Sequence, residues 1–268
     1  TQIADLLREE FRSRRTKPAT AAPALAADAN RSATAPGIPD LVFPAADSFT
    51  LELNPAWQSV NLGDYILGGS TMQMGRLMVV QGSGRGMWEG FDSCRYVWSK
   101  AKGDYTFYAR VEAFAAADPL SVSGMMIRGD AASSGPALVF GYRGDGKLFM
   151  QVRRPDESPE LPPKLFWRAS PNRPPYLVTL IHISERPLPA PLHLRLVRSG
   201  QGYEASHSKD GAQWRRFAVC EIDLGTKNTV GLTVSAQSPN ELAAAKFSDV
   251  RLMAPGDQTS VPAAATFQ

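Results

Sequence analysis

The stretch Gln81–Arg95, QGSGRGMWEGFDSCR, places four glycines within nine residues. That density suits a loop cradling a phosphate against a helix N-terminus. The spacing argues against it. In a G-x-G-x-x-G fingerprint counted from Gly82, the third glycine position falls on Met87, and counted from Gly84 it falls on Glu89. No Gly-Lys-Ser/Thr follows, so a P-loop is excluded as well. The residues that come next, FDSCRYVW and DYTFYARV, are aromatic, β-branched and alternating, which is strand patterning. The glycines are therefore expected to reverse the chain between two strands, with Trp88 and Asp92 anchoring the reversal.

Paired carboxylates could hydrolyse a glycosidic bond, because retaining glycosidases hold two of them about 5 Å apart. A strand reading E-x-D-x-x-E would supply them. Here Glu221-Ile222-Asp223-Leu224-Gly225-Thr226 has the first two acids and Thr226 in place of the third, so the segment reads as a strand running into a turn. His182, His193 and His207 lack metal-ligand spacing. Asp145, Asp156 and Glu157 lie close in sequence without an EF-hand pattern. There is no G-x-S-x-G elbow. No enzyme, no metal and no cofactor is expected. Arg110 and Arg128 are expected to pair with acids such as Asp92 or Asp104; their other role would be a shallow polar patch around Trp88.

These residues sit in a chain of 268, 43% hydrophobic and 21% charged, with a formal net charge of +3. That supports a real core and gives too little charge bias for nucleic acid as the main partner. From about 46 to 253 nearly every segment reads as a short strand: 48–54, 76–81, 104–114, 124–128, 137–143 and 147–154, then 176–183, 192–199, 201–208, 214–222, 229–237 and 244–252. Asp145-Gly146 and Asp210-Gly211 are hairpin turns. A dozen strands without recurrent helices and without a fixed long repeat point to a β-sandwich. Cys94 and Cys220, far apart and outside any CxxC, could pair or remain free thiols.

The remaining segments are of another kind. In residues 1–17, Ile3, Leu6, Leu7 and Phe11 recur at helical spacing beside an excess of basic residues. This amphipathic basic helix needs a surface for its apolar face: its own domain, a partner, or an anionic membrane. Residues 18–45 form an Ala/Pro-rich extended arm, and 254–268 a similar tail. Pro155–Pro175 carries seven prolines and, at its middle, Phe166 and Trp167, either pinned to the sandwich or offered to a partner. No apolar run approaches the roughly 20 residues that span a bilayer as a helix. Thr1 fits either removal of an initiator Met or a processed end. A cytoplasmic, membrane-peripheral location is favoured, with a periplasmic or extracellular one as the alternative.

Residues 48–252 resemble a bacterial family of concanavalin A-like β-sandwich domains, known mainly as domains of unknown function and often attached to carbohydrate-active or surface proteins. The resemblance is carried by Leu62-Gly63-Asp64, Gly68-Gly69-Ser70, GSGRGMWEGFDSCRYVW, GDYTFYARV, DPLSVSGMMIR, LRLVRSGQGYEASHSKDGAQW and AKFSDVRL. It implies an all-β, concanavalin A-like (jelly-roll) sandwich, to which the sequence adds the N-terminal helix and extended arms. Leu120 stands where the family usually has Trp, Val122 where it has Lys, and Cys94 where it has Phe. The first two changes remove stacking and polar groups that a sugar would meet.

The expected function is a non-catalytic accessory or scaffold subunit. It would dock on other protein subunits of a larger, membrane-associated assembly through Ile3, Leu6, Leu7 and Phe11, the arms and the Pro-rich loop. The alternative is a glycan-binding module. The candidate binding surface is Trp88, Asp92, Arg128, Phe166 and Trp167.

Overall fold

The computed structural model describes residues 50–51, 54, 56–88, 91–129, 135–155 and 176–255. The expected helix and arm (1–45), the tail beyond 255, and Phe166 and Trp167 lie outside the described residues.

Every regular element described is a strand. In chain order these are β1 (Thr50–Leu51), β2 (Gln58–Leu62), β3 (Ser70–Met74), β4 (Leu77–Gly84), β5 (Cys94–Lys102), β6 (Tyr105–Ala115), β7 (Val122–Arg128) and β8 (Ala137–Arg143). They continue with β9 (Leu148–Pro155), β10 (Tyr176–Ile183), β11 (Leu192–Ser199), β12 (Gly202–Ser208), β13 (Arg215–Glu221), β14 (Lys227–Ser235) and β15 (Ser238–Met253). They form an eight-stranded sheet, β1-β3-β4-β15-β6-β11-β12-β13, and a seven-stranded sheet, β10-β9-β8-β7-β14-β5-β2. All pairings are antiparallel except β1 with β3. The protein is a β-sandwich. Its core holds Phe107, Phe140, Phe247, Leu194, Leu196, Ile127 and Leu232 between the sheets.

The two sheets differ in what covers their outer faces, and strand composition explains why. In β11, Leu192, Leu194 and Leu196 are buried while His193, Arg195 and Val197 between them are half-exposed. Such alternation marks a strand with one face in the core and one in solvent. By contrast β7, VSGMMIR, and β8, ALVFGYR, are buried at every position. Both faces of these strands are covered, and they accordingly carry apolar, small or ion-paired residues on both.

The glycine-rich segment supplies part of that cover. It carries the chain from β4 in one sheet to β5 in the other, so it crosses the sandwich as well as reversing. Gly86, at a φ of +90°, exchanges both backbone hydrogen bonds with Ser93, at 3.1 and 2.9 Å. That φ suits glycine above any other residue. Nearby, Arg95 on β5 ties the two sheets together near their margins. It donates to Thr71 Oγ1 on β3 at 3.1 Å and to Asn61 Oδ1 and Ser59 Oγ on β2 at 3.2 and 2.7 Å.

The Asp-Gly pairs sit where hairpin chemistry places them, joining β8 to β9 and β12 to β13. Glu221 ends β13, and Asp223 turns back to accept from the Gly225 amide at 2.8 Å. The incomplete E-x-D-x-x-E is a strand end with a capped turn.

Candidate functional site

Trp88, Asp92 and Arg128 do come together, on the outer side of the seven-stranded sheet, but as interior. Asp92 is 1% exposed and Arg128 0%. Asp92 accepts two hydrogen bonds from the Arg153 guanidinium, both 2.7 Å, and pairs with Arg128 through Oδ2. Arg153 also donates to the Gly135 carbonyl at 2.6 and 2.9 Å. Trp88 donates its indole N–H to the Leu120 carbonyl at 3.0 Å, and its ring packs on Phe149 with centroids 4.9 Å apart. Met87 caps an apolar cluster with Cys94, Tyr96, Val122, Met126 and Val139, and its carbonyl accepts from Gln151 at 2.6 Å.

This corrects the expected binding surface. The loop folds its apolar residues down onto the sheet, so the charges it brings are buried and must pair with one another. Leu120 and Val122 lie inside this packing. Arg128 pairs with Asp92 as the structural reading of the sequence expects. Arg110 pairs instead with Glu112 at 2.6 Å, and Asp104 accepts from the Gly200 amide at 2.8 Å.

The other sheet carries a second polar face, in which Tyr108, Ser206 and Ser208 are buried while Arg195 and Trp214 are half-buried and Arg216 is exposed. Across its outer face the strand register aligns Arg251 on β15, Tyr108 on β6, Arg195 on β11, Ser206 on β12 and Arg216 on β13. The neighbouring row holds Ser248, Arg110, His193 and Ser208 on β15, β6, β11 and β12. Over these rows lies Trp214, half-exposed, at the end of the β12–β13 turn. Its ring meets Tyr108 edge-on with centroids 5.9 Å apart, and the Arg195 guanidinium sits over it at 4.2 Å. The indole N–H donates to the Gly211 carbonyl at 3.1 Å. The turn is locked by Asp210, which accepts from the Ala212 and Gln213 amides at 2.9 and 2.8 Å and from Ser208 Oγ at 2.8 Å. Those hydrogen bonds stabilise the carboxylate and hold its pKa down at about 2.

Tyr108 and Nδ1 of His193 share a hydrogen bond. Around them stand Glu112, paired with Arg110 and bonded to Ser248, and Asp249, paired with Arg76 and Arg251. Burial raises the Tyr108 pKa. Burial also lowers that of His193, helped by Arg110 and opposed by Glu112, Asp249 and Asp210. His207 is lowered for the same first reason, with Arg215 adding to it.

The sign for stability follows. In the unfolded chain these imidazoles protonate near pH 6.5. In the fold they resist protonation, so below that pH the unfolded state binds more protons. The contribution of the neutral histidines is complete above about pH 6.5 and declines as pH falls towards their folded pKa values. The melting temperature is therefore expected to drop between pH 7 and pH 5, with His193→Gln flattening part of the slope. Thermal scans across pH 5–8 check this; a melting temperature constant over that window would contradict a neutral, hydrogen-bonded His193.

Among the described residues no group of three or more His, Cys, Asp or Glu is placed to hold a metal ion. Cys94 and Cys220 are both free thiols, each pushed up to about 11 by burial.

Tyr108, His193, Arg195 and Trp214 were not singled out from the sequence as a site. The available signal was in the alternation: Tyr108 and Arg110, and His193 and Arg195, occupy every second position of core-forming strands. They therefore had to face outward together. The Asp-Gly-x-x-Trp turn was recognised, but where its Trp lands depends on the sheet beneath.

No family model matches this chain, and no curated protein of similar sequence was found. Solved structures do match. A functionally unknown protein from Saccharomyces cerevisiae superposes with a TM-score of 0.52 at 14% identity, over 75% of this chain and 97% of that one. The likeness is one of fold. The carbohydrate-binding module CBM66 from Bacillus subtilis aligns with a TM-score of 0.44 at 12% identity, covering 77% of this chain and 99% of that one. The GH43 protein BlXynB from Bacillus licheniformis aligns with a TM-score of 0.45 at 14% identity, over 66% of this chain and only 33% of that one.

Proposed function

We propose that this protein is a non-catalytic glycan-binding module of concanavalin A-like architecture, and that it binds through the outer face of its eight-stranded sheet. The observation that carries the reading is Trp214, half-exposed beside Tyr108 and the half-buried Arg195 on the outer face, with the exposed Arg216 further along the same row. An apolar plate beside fixed donors and acceptors is what a sugar needs, because a sugar presents C–H faces and a rim of hydroxyls. The competing site around Trp88 is flanked by Asp92 and Arg128, which are buried and paired with one another.

Affinity electrophoresis through a panel of soluble polysaccharides tests the proposal. Binding to at least one is expected. Trp214→Ala should weaken it about tenfold or more, roughly 1.4 kcal/mol, whereas Trp88→Ala should leave affinity unchanged in the folded protein. Absence of binding across the panel, or sensitivity at Trp88 and not at Trp214, would reject this face.

The scaffold reading depends on residues 1–45 and on the Pro-rich loop. Within the described residues one feature favours it: the adjacent Tyr65 and Ile66, 47% and 70% exposed on the β2–β3 connection, form a small apolar tip of the kind that contacts partners. Deleting residues 1–45 should abolish co-purification with any native complex if docking is the function, and should leave glycan binding intact if it is not.

A further inference from the structure

We infer that the glycan is an anionic polysaccharide and that it lies across the strands, along the row Arg251–Tyr108–Arg195–Ser206–Arg216. The inference rests on the glycan-binding reading above and names its ligand class. Three arginines occupy alternate strands of this row, β15, β11 and β13. With neighbouring strands about 4.8 Å apart, their backbones stand roughly 9.5 Å apart. Arginines recurring on every second strand of one face suit a linear polyanion better than a compact ligand.

The state of the arginines supports the same ligand. Arg251 is shared with Asp249 at 3.5 Å. Arg195 has its Nε buried without a hydrogen-bond partner among the described residues, and Arg216 is exposed. Arg195 is half-buried, and its guanidinium sits over the Trp214 ring at 4.2 Å. Burial lowers its pKa, with Glu204 the one acid opposing that. A guanidinium pre-positioned on an indole, with its Nε–H unused, can take a carboxylate or sulfate with two parallel hydrogen bonds at little ordering cost. A neutral sugar would leave the cation partly desolvated and unmatched.

The chemistry shared by the possible sources is an anionic group on a polysaccharide, either uronate carboxylate or sulfate ester. The experiment separates them from one another and from nucleic acid. Dissociation constants are measured for the full chain with polygalacturonate, dextran sulfate, neutral dextran, neutral xylan and single-stranded DNA, at low and high salt. At least one anionic polysaccharide is expected to bind tenfold or more tighter than both neutral ones, with affinity falling as salt rises. Arg195→Gln should remove most of that preference. Arg216→Gln, at an exposed position where folding is not at stake, should lower it severalfold.

Equal affinity for anionic and neutral polymers, or an anionic preference untouched by both substitutions, overturns the inference. Binding to neutral polymers alone overturns it while leaving the glycan reading standing; binding to no polysaccharide removes both. DNA binding as tight as the best polysaccharide would assign the arginine row to nucleic acid instead.

Discussion

Asp92→Ala is expected to destabilise the protein by about 3–5 kcal/mol, the usual loss when one partner is removed from a buried ion pair. The carboxylate is the common acceptor of two buried guanidiniums, accepting from Arg153 at 2.7 Å through each oxygen and pairing with Arg128. Its removal leaves two positive charges facing a space from which water is excluded, on a face otherwise covered by Met87, Tyr96, Met126 and Phe149. Against a total stability of about 5–15 kcal/mol for a typical domain, that is a large share. Asp92→Asn keeps the shape and some hydrogen bonding, and should cost less than the alanine while still lowering the urea midpoint. Equilibrium unfolding in urea measures both. A loss below about 1 kcal/mol for the alanine would mean that Asp92 is solvated and the cluster open, which would restore this face as a candidate binding surface.

The same cluster illustrates what residue order can and cannot convey. Three strands coincide with their expected bounds, Ala137–Arg143, Tyr176–Ile183 and Leu192–Ser199. Alternation or an apolar run defines each, and an Asp-Gly turn follows the first. Gln58–Leu62 and Ser70–Met74 were not expected. Both are short, polar-rich strands towards the sheet margins, and β structure of that kind is set by neighbours more than by propensity. Asp92 and Arg128 pair as expected, an acid of the loop with an arginine of the adjoining sheet. What order could not supply was the face: whether those charges would look outward or be folded under depended on where the glycine-rich crossing lay. The Tyr108–His193 pair spans 85 positions, and only the pairing of β6 with β11 brings it together. The parity of each strand was readable; the pairing that turned two parities into one surface was not.

That crossing also sets the second large effect. Gly82→Ala is expected to cost about 3 kcal/mol, the upper end for overpacking an interior. Gly82 lies on β4, where the eight-stranded sheet runs closest to β14 of the other. A methyl group there would overlap the Val234 carbonyl oxygen, lie 2.8 Å from its carbon and 3.0 Å from Arg95 Cβ. Carbonyl groups in a sheet cannot swing aside as the end of a flexible side chain can, so the strands themselves would have to separate. Separation would pull on the Arg95 hydrogen bonds to β2 and β3 as well as on the β4–β5 crossing. Gly75, at the β3–β4 turn, provides the contrast: it has nothing within 4 Å of an added methyl, and its φ of +57° is the only obstacle. Gly75→Asn, a residue that tolerates that conformation, should change stability by no more than about 0.5 kcal/mol. Melting curves of the two variants side by side decide the point. If both melted alike, the density of glycine around residue 82 would reflect turn formation alone; a selective loss at Gly82 would show that glycine is there because two sheets meet across it.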